Sequence, residues 1–302
     1  MEKLGASKMF SLAELPCKIC GNPAQNVGIK QGNWRRIEYS LYHCPKCRFG
    51  FVGNPSTDYE QIYNLDYYNG RGADPLIDYL FELNNQEDTI RQYEWKGIVS
   101  IVSQVKEISP EINWLDFGCG NGGLVRWVKN NLNCNIVGFE TGEIADKARE
   151  LNIPILSEQE LQAQSNRYDV ITAIEVLEHV IDPIDVLEKL FNLVKEGGIL
   201  FYTTGNATRY RKRLASWSYV APEIHISFYE PSTLEYAMTK VGFKVKKIEY
   251  LRGFTDVIRF KILKNLGVKK VNQWETLLPW LMLSYIADQI FGISDFPIGY
   301  KD

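Results

Sequence analysis

Between residues 114 and 123 an apolar run, Trp114-Leu115-Asp116-Phe117, passes directly into Gly118-Cys119-Gly120-Asn121-Gly122-Gly123 and then into a helical pattern. A strand that ends in glycines lets the backbone come close to a ligand at the carboxyl edge of an open α/β sheet. The flanking sequence agrees with such a sheet. Strands are expected at 113–117, 135–140, 153–156, 168–174 and 198–203, with helices at 123–132, 142–151 and 184–195 filling the gaps. This alternation predicts a doubly wound, largely parallel α/β sheet with helices on both faces. A further strand is expected at 244–251, a helical segment at 256–292 and a last strand at 296–300. With 302 residues, 45% of them hydrophobic and 24% charged, the chain can build this sheet and one appended module.

Gly118, Gly120 and Gly123 satisfy G-x-G-x-x-G, so an NAD(P)-dependent oxidoreductase is one reading. Two acids favour another ligand. Asp116 immediately precedes the loop, where a carboxylate would oppose a pyrophosphate but receive a cationic or hydroxyl-bearing group. Glu140 ends the next strand, 22 residues after Gly118, and can accept hydrogen bonds from ribose hydroxyls. An adenosine carrying a sulfonium and an amino-acid tail meets both requirements. The acid-x-G-x-G-x-G pattern of Asp116, Gly118, Gly120 and Gly122 resembles the first motif of class I S-adenosylmethionine-dependent methyltransferases. Residues 168–174 are similar to that family's fourth strand, 193–200 to its helix, turn and fifth strand, and Gly242-Phe243 to a late turn, so the likeness covers about 112–251. It implies a Rossmann-like sheet of seven strands. It also implies that Glu140 holds the ribose and the loop from Gly118 through Cys119 and Gly120 to Gly122 the methionine end. The adenine would fall to Leu156 and Ser157 or to Glu158, where this sequence lacks the aspartate common in the family. Glu175, just past the fourth strand, joins the cofactor set.

The segment Glu175-Val176-Leu177-Glu178-His179 resembles the E-x-x-E-H of methyltransferases that modify quinone precursors, small-RNA ends and sugars. In some of these, two acids and the histidine bind magnesium, and in others a histidine is the general base. Magnesium at Glu175, Glu178 and His179 is therefore one expectation. Transfer of a methyl group from a sulfonium needs proximity, alignment and a deprotonated acceptor. A histidine suits a hydroxyl acceptor near neutral pH. Only three histidines occur in the chain, and His179 and His225, with Glu178, are the catalytic candidates.

Near the N-terminus Cys17, Cys20, Cys44 and Cys47 form two C-x2-C pairs. Each pair can set two thiolates on a tight turn, and two facing turns make a closed four-sulfur site for structural zinc. The expected organisation is a zinc ribbon at 1–53, a helical lead-in or lid at 54–110 with a helix pattern from 75 to 106, and the catalytic domain at 111–302 with a helical insertion at about 253–293. Tyr59, Tyr63, Tyr67 and Tyr68 suit either a lid over the cofactor or packing of the ribbon against the sheet. This layout resembles bacterial methyltransferases of sugar and surface-polysaccharide biosynthesis, which implies a small-molecule acceptor such as a phosphorylated or nucleotide-linked sugar. The cationic run 208–213 is either a phosphate-binding loop or a solvated face. A net charge of −3 and a pI near 5.8 count against nucleic acid, although a ribbon that recruits nucleic acid or protein is the competing reading. The apolar stretch 277–293, broken by Pro279 and Asp288, is too short to span a bilayer, and it suits an oligomer interface or a cover for the sheet. No secretory signal is read at the start, so a cytoplasmic location is expected.

Overall fold

The protein is described here by a computed structural model covering residues 14–76, 78–248, 250 and 252–302; the readings that touch 1–13, 77, 249 and 251 lie outside the described residues. In chain order the strands are β1 (Glu14–Pro16), β2 (Pro23–Gln31), β3 (Glu38–His43), β4 (Gly50–Val52), β5 (Asn113–Phe117), β6 (Asn135–Phe139), β7 (Ile155–Leu156), β8 (Tyr168–Ile174), β9 (Val194–Thr203), β10 (Ser227–Phe228), β11 (Lys244–Lys246) and β12 (Ile298–Tyr300). They form two sheets. The larger has seven strands in the order β11-β12-β9-β8-β5-β6-β7, with β5 to β9 mutually parallel and β12 antiparallel to both neighbours. The strand order reverses at β5, so the loops after β5 and β8 leave in opposite directions and open a crevice at the carboxyl edge.

Period-two alternation sorts the sheet's side chains into two cores. Leu115, Ile171, Ala173, Leu200 and Tyr202 face the helices Pro183–Leu193 and Pro231–Val241, where Leu187, Leu190, Leu234 and Met238 bury. Trp114, Val170, Ile199 and Phe201 face the helices Arg91–Val105, Gly123–Asn131 and Arg252–Asn265. The sheet is thus covered on both sides, as the sequence predicts.

The smaller sheet runs β1-β2-β3-β4-β10 and is antiparallel throughout. Its fifth strand comes from residues 227 and 228, so the N-terminal module is completed by a segment that follows β9. Tyr39, Leu41 and Val52 of this sheet share a core with Leu214, Trp217, Val220, Ile226 and Phe228.

Three expectations change in detail. The helix pattern at 75–106 breaks into Tyr79–Asn84 and Arg91–Val105, because Asn84 and Asn85 turn their side-chain amides back onto the carbonyls of Leu80 and Phe81, and Thr89 bridges to Lys270. The helical segment at 256–292 is two helices, Arg252–Asn265 and Trp280–Phe291, separated by the Gly267 turn and Pro279. The second buries Trp280, Ser284, Ala287 and Asp288 but leaves Leu281, Met282, Tyr285 and Phe291 more than half exposed, so it covers the domain along one stripe only. No helix among the described residues is long and apolar enough to cross a membrane.

Helices Arg91–Val105 and Arg252–Asn265 cross at glycines. A Cβ on Gly97 would meet the Gly253 carbonyl oxygen at 2.6 Å and the Val257 nitrogen at 2.9 Å. Neither backbone atom can swing aside. Gly97→Ala is expected to destabilise the fold by about 1–3 kcal/mol through overpacking, despite the roughly 1 kcal/mol gained in helix propensity. A lowered thermal midpoint is the readout, and an unchanged or raised midpoint would show that the helices can part without cost.

Candidate active site

At the carboxyl end of β5 a chain of hydrogen bonds fixes Asp116. Trp114 Nε1 donates to Thr172 Oγ1 at 3.0 Å, and that hydroxyl donates to Asp116 Oδ1 at 2.8 Å. Asp116 is buried, and burial pushes its carboxyl up to about 7. The glycine loop then turns through left-handed conformations at Gly118, Gly120 and Gly122, which only glycine adopts without strain. The turn is also crowded: a Cβ at Gly118 would run into Val176, and one at Gly120 into the Tyr79 ring. The loop after β5 and the segment after β8 therefore lie against each other.

Glu140 closes the other side. Its Oε2 accepts from Gly120 N at 3.1 Å, and its Oε1 accepts from Thr141 N at 2.8 Å and Gly142 N at 3.0 Å. Burial raises its carboxyl while these three donors oppose the rise. Four side chains that the sequence reading passed over complete this half. Arg91 donates to Glu82 Oε1 at 3.1 Å and to Glu94 Oε2 at 2.7 Å, and Tyr79 packs on the loop. Glu94 Oε1 is buried with no hydrogen-bond partner. Tyr79, Arg91, Glu94, Asp116, Gly118 and Asn121 line a cavity of about 50 Å³ here.

Arg91 is thus taken up by Glu82 and Glu94, while Asp116 and Glu140 flank the glycine loop without a cationic partner of their own among the described residues. An orphaned carboxylate oxygen and an acid held near pH 7 are what a cationic ligand would relieve, and a pyrophosphate would aggravate. The site fits S-adenosylmethionine, whose ammonium and sulfonium carry positive charge. Cys119 is half-buried and desolvation pushes its thiol well up, so it contributes backbone rather than chemistry. The expected adenine contacts are less open: the Ser157 amide and hydroxyl both bond the Glu160 carboxylate in a capping box, and Leu156 is half-buried.

The second half of the site lies beyond β8. Glu175 has a positive φ of 53°, an unfavourable conformation for a non-glycine residue. Although burial alone would raise its carboxyl, Lys261 at 2.8 Å holds it well below the usual range, with Thr203 Oγ1 donating at 2.9 Å. Glu178 is fully buried, and burial followed by the Glu175 charge pushes its carboxyl up to about 7. Thr204 Oγ1 donates to it at 2.9 Å, and Tyr219 OH lies 2.5 Å from Glu178 and 3.2 Å from Glu175. The His179 and His225 rings lie 4.9 Å apart, centroid to centroid. His225 Nδ1 is 2.6 Å from the Tyr219 carbonyl oxygen; a carbonyl only accepts, so Nδ1 carries the proton and Nε2 has the free lone pair. His179 Nδ1 lies 3.0 Å from both Ile224 O and Tyr63 OH. Burial and then the His225 charge lower His179 to about 4, and burial also lowers His225.

The three catalytic candidates, Glu178, His179 and His225, come together here. The magnesium expectation grouped Glu175 with Glu178 and His179, but the ligand atoms that gather within 4.8 Å of one another belong to Glu178, His179 and His225. Glu175 is instead occupied by Lys261, Thr203 and Tyr219. In the cationic run, Arg211 pairs with Glu230 and the Tyr210 ring stacks on Trp217, so these two side chains are engaged away from any phosphate. Of the tyrosines, Tyr63 reaches His179, and Tyr68 OH fills the space where Gly142 lacks a side chain. Tyr67 and Tyr68 are buried in one apolar cluster with Ile62, Ile144 and Ile224, against which Tyr63 packs. Tyr219, Lys261, Arg91 and Glu94 had no local sequence signal, because each is brought in from a distant helix or loop.

The fold order and the acid-lined glycine loop define a class I S-adenosylmethionine-dependent methyltransferase. A profile of the family described as "Methyltransferase domain" matches residues 77–248, more than half of the chain, and the chain belongs to that family. The nicotinamide reading is thereby set aside. Among curated relatives, the chain is 28% identical over 203 residues to a ubiquinone biosynthesis O-methyltransferase of Acinetobacter baylyi, covering 55% of this chain and 85% of that one. It is 29% identical over 137 residues to the ubiquinone biosynthesis O-methyltransferase of Pseudomonas aeruginosa, covering 38% of this chain and 59% of that one. Among solved structures, phosphoethanolamine N-methyltransferase 2 of Haemonchus contortus in complex with S-adenosyl-L-methionine is 13% identical, with a TM-score of 0.46 over 83% of this chain and 61% of that one.

A cation bound at the glycine loop would meet a pH-dependent charge at Asp116. Below about pH 7 its carboxyl is protonated and must lose that proton to face a cation, so affinity for S-adenosylmethionine should fall as pH drops, by up to about tenfold per unit. Calorimetric titration between pH 6 and 8 in buffers of different ionisation enthalpy should count up to one proton released. Asp116→Asn should bind at least about tenfold more weakly at pH 8 and lose this dependence. A pH-independent affinity in the unaltered protein would remove Asp116 from the cation's surroundings.

Proposed function

We propose that the protein methylates a hydroxyl group of a small molecule and that His225 is the general base. The observation that carries this is the 2.6 Å contact from His225 Nδ1 to the Tyr219 carbonyl, which fixes the tautomer and leaves Nε2 as a proton acceptor beside His179 and Glu178. Burial keeps the imidazole neutral at physiological pH, the form a base requires. His179, lowered to about 4, is the poorer base and serves to position the acceptor with Tyr63. Glu178, poised near 7 against the imidazoles, can take charge or proton as the base titrates. Bound S-adenosylmethionine supplies an electrophilic methyl group with a neutral thioether as leaving group. The chain's contribution is to hold Asp116, Glu140, Arg91 and the glycine loop around it and to exclude water with Tyr63, Tyr67 and Tyr68.

Oxygen as the methylated atom is supported by the names of the curated relatives, which are O-methyltransferases. A sugar, nucleotide sugar or glycan precursor as acceptor rests on the ribbon-plus-domain layout alone. The four cysteines support structural zinc. Cys17 and Cys47 sulfurs lie 3.4 Å apart, Cys20 and Cys44 sulfurs 3.5 Å apart, and all four gather within 4.8 Å. Such a tetrad has the closed donor set zinc prefers, with no position left for water.

His225→Gln should lower turnover of a hydroxyl acceptor by about 10²- to 10⁴-fold while leaving affinity for S-adenosylmethionine within about twofold. In the unaltered enzyme, activity should be lost as pH falls through the histidine's titration, at a pH below its ordinary 6.5 because burial lowers it. Screening hydroxyl-bearing sugar nucleotides and catechols with a coupled assay for the demethylated cofactor provides the substrate. Retained turnover in the variant would reject the base. Full-length protein purified without added metal should carry one zinc per chain by elemental analysis, and a content well below stoichiometric would reject the structural site.

A further inference from the structure

The ribbon's hairpin between β2 and β3 touches both walls of the acceptor site. Glu223 lies two residues before His225 and is buried. Its Oε1 accepts from Trp34 N at 2.9 Å and Arg35 N at 3.4 Å, both on the hairpin turn, and its Oε2 is buried without a partner. The same loop is fastened to the ribbon at two more places: Lys30 Nζ donates to the Trp217 carbonyl at 2.6 Å, and Val52 N donates to the Ile226 carbonyl at 2.9 Å. On the other side of the turn, Arg35 donates to Gln61 Oε1 at 2.9 Å, two residues from the Tyr63 that meets His179.

We propose that the ribbon is a wall of the acceptor site rather than a module for recruiting a macromolecule, and that Glu223 is the positioning residue through which its hairpin sets His225. The argument is one of connectivity. The loop from 205 to 228 carries both the carbonyl that fixes the His225 tautomer and the tyrosine hydroxyl that joins Glu175 to Glu178. Its apolar side chains pack with Tyr39, Leu41 and Val52 of the ribbon. Held by the ribbon, the loop presents His225 in one orientation. Released from the hairpin, residues 219–225 keep the bonds within their own turn, from Ala221 N and His225 Nδ1 to Tyr219 O and from Ile224 N and His225 N to Ala221 O. They also keep the Tyr219 OH bonds to Glu175 and Glu178 and the Ile224 O contact with His179. They lose the Glu223 bonds that tie this stretch to the ribbon turn, the other ribbon anchors lying outside it at 217 and 226. A carboxylate at 223 is not required for this: an amide accepts from the same two N–H groups and places its nitrogen where Oε2 stands alone.

The inference rests on His225 facing the acceptor, and its test is chosen to be independent of any substrate. With three histidines in the chain, full-length protein labelled with ¹⁵N-histidine gives a spectrum simple enough to assign by loss of one signal in His225→Gln. In the unaltered protein the His225 Nδ1–H, bonded to a carbonyl at 2.6 Å, should give a downfield, slowly exchanging resonance. Glu223→Ala should abolish that resonance and speed amide exchange of residues 219–226 by about tenfold or more, with S-adenosylmethionine affinity by calorimetry within about twofold. Glu223→Gln should restore the resonance and the protection. Gly32→Ala is the second probe, since a Cβ there would fall on the Glu223 carboxylate and dislodge it from the hairpin side. It should reproduce the Glu223→Ala signature even where that variant fails to fold. An unchanged His225 resonance in Glu223→Ala or, if that chain does not fold, in Gly32→Ala overturns the proposal, as does failure of Glu223→Gln to restore it. If the signature is as expected but His225→Gln turns over acceptor normally, the positioning stands and the base assignment falls.

Discussion

The register of β5 between β6 and β8 is the constraint on which the rest of the molecule depends. Asp116 lies opposite Gly138 on one side and Thr172 on the other. Gly138 leaves room for the Cys119 side chain of the glycine loop, and Thr172 supplies the hydroxyl that orients the Asp116 carboxylate. A slip of β5 by one residue would turn Trp114 and Asp116 to the opposite face, away from Thr172 on β8, and break the hydrogen-bonded chain that joins the three. Because the strand order reverses at β5, this register also decides where the crevice opens and which residues after β8 stand beside the loop. The position of Val176 against Gly118 follows from it, and so does the proximity of cofactor and acceptor halves.

Charge divides those halves. Around the glycine loop the acids outnumber the single guanidinium of Arg91, and burial leaves Asp116 near neutrality of its own titration and Glu94 with an unsatisfied oxygen. Beyond β8 the balance is different: Lys261 neutralises Glu175, which leaves Glu178 to be raised by burial and by its like-charged neighbour. Two acids three residues apart therefore hold opposite tendencies to ionise. The strained backbone at Glu175 keeps its carboxylate on Lys261, so the separation is built into the fold and not left to side-chain mobility.

Much of this was legible in the sequence because it is local. The two C-x2-C pairs, the glycines after β5 and the acid at the end of β6 are each read from a few consecutive residues, and the alternation of strands and helices gives the doubly wound sheet from composition and period alone. What the sequence could not show comes from separation along the chain. Tyr219 and Lys261 reach Glu175 from 44 and 86 residues away, and Trp34 meets Glu223 across 189. None of these has a motif, since a tyrosine in a loop or a lysine on an amphipathic helix is ordinary until the fold supplies its partner. The break between residues 84 and 91 is of a different kind: it falls in the polar run from Asn84 to Thr89, which interrupts the apolar period, and the asparagine amides turned onto the backbone mark the stop.

The small sheet shows how far a module boundary read from sequence differs from one drawn by hydrogen bonds. The cysteine pairs suggest a self-contained ribbon, yet β4 finds its outer partner in β10, Thr233 Oγ1 donates to the Cys47 carbonyl at 2.8 Å, and Lys240 Nζ donates to the Ile19 carbonyl at 2.8 Å. An antiparallel sheet of short strands has little apolar area of its own to bury, and its edge would otherwise be open to pairing with other chains. Here the edge is closed by the same segment that positions His225. Stability of the ribbon and geometry of the acceptor site therefore share one set of interactions, so a change that loosens the first should be felt in the second before it reaches the cofactor loop, whose supports lie in β5, β6 and the Arg91–Val105 helix.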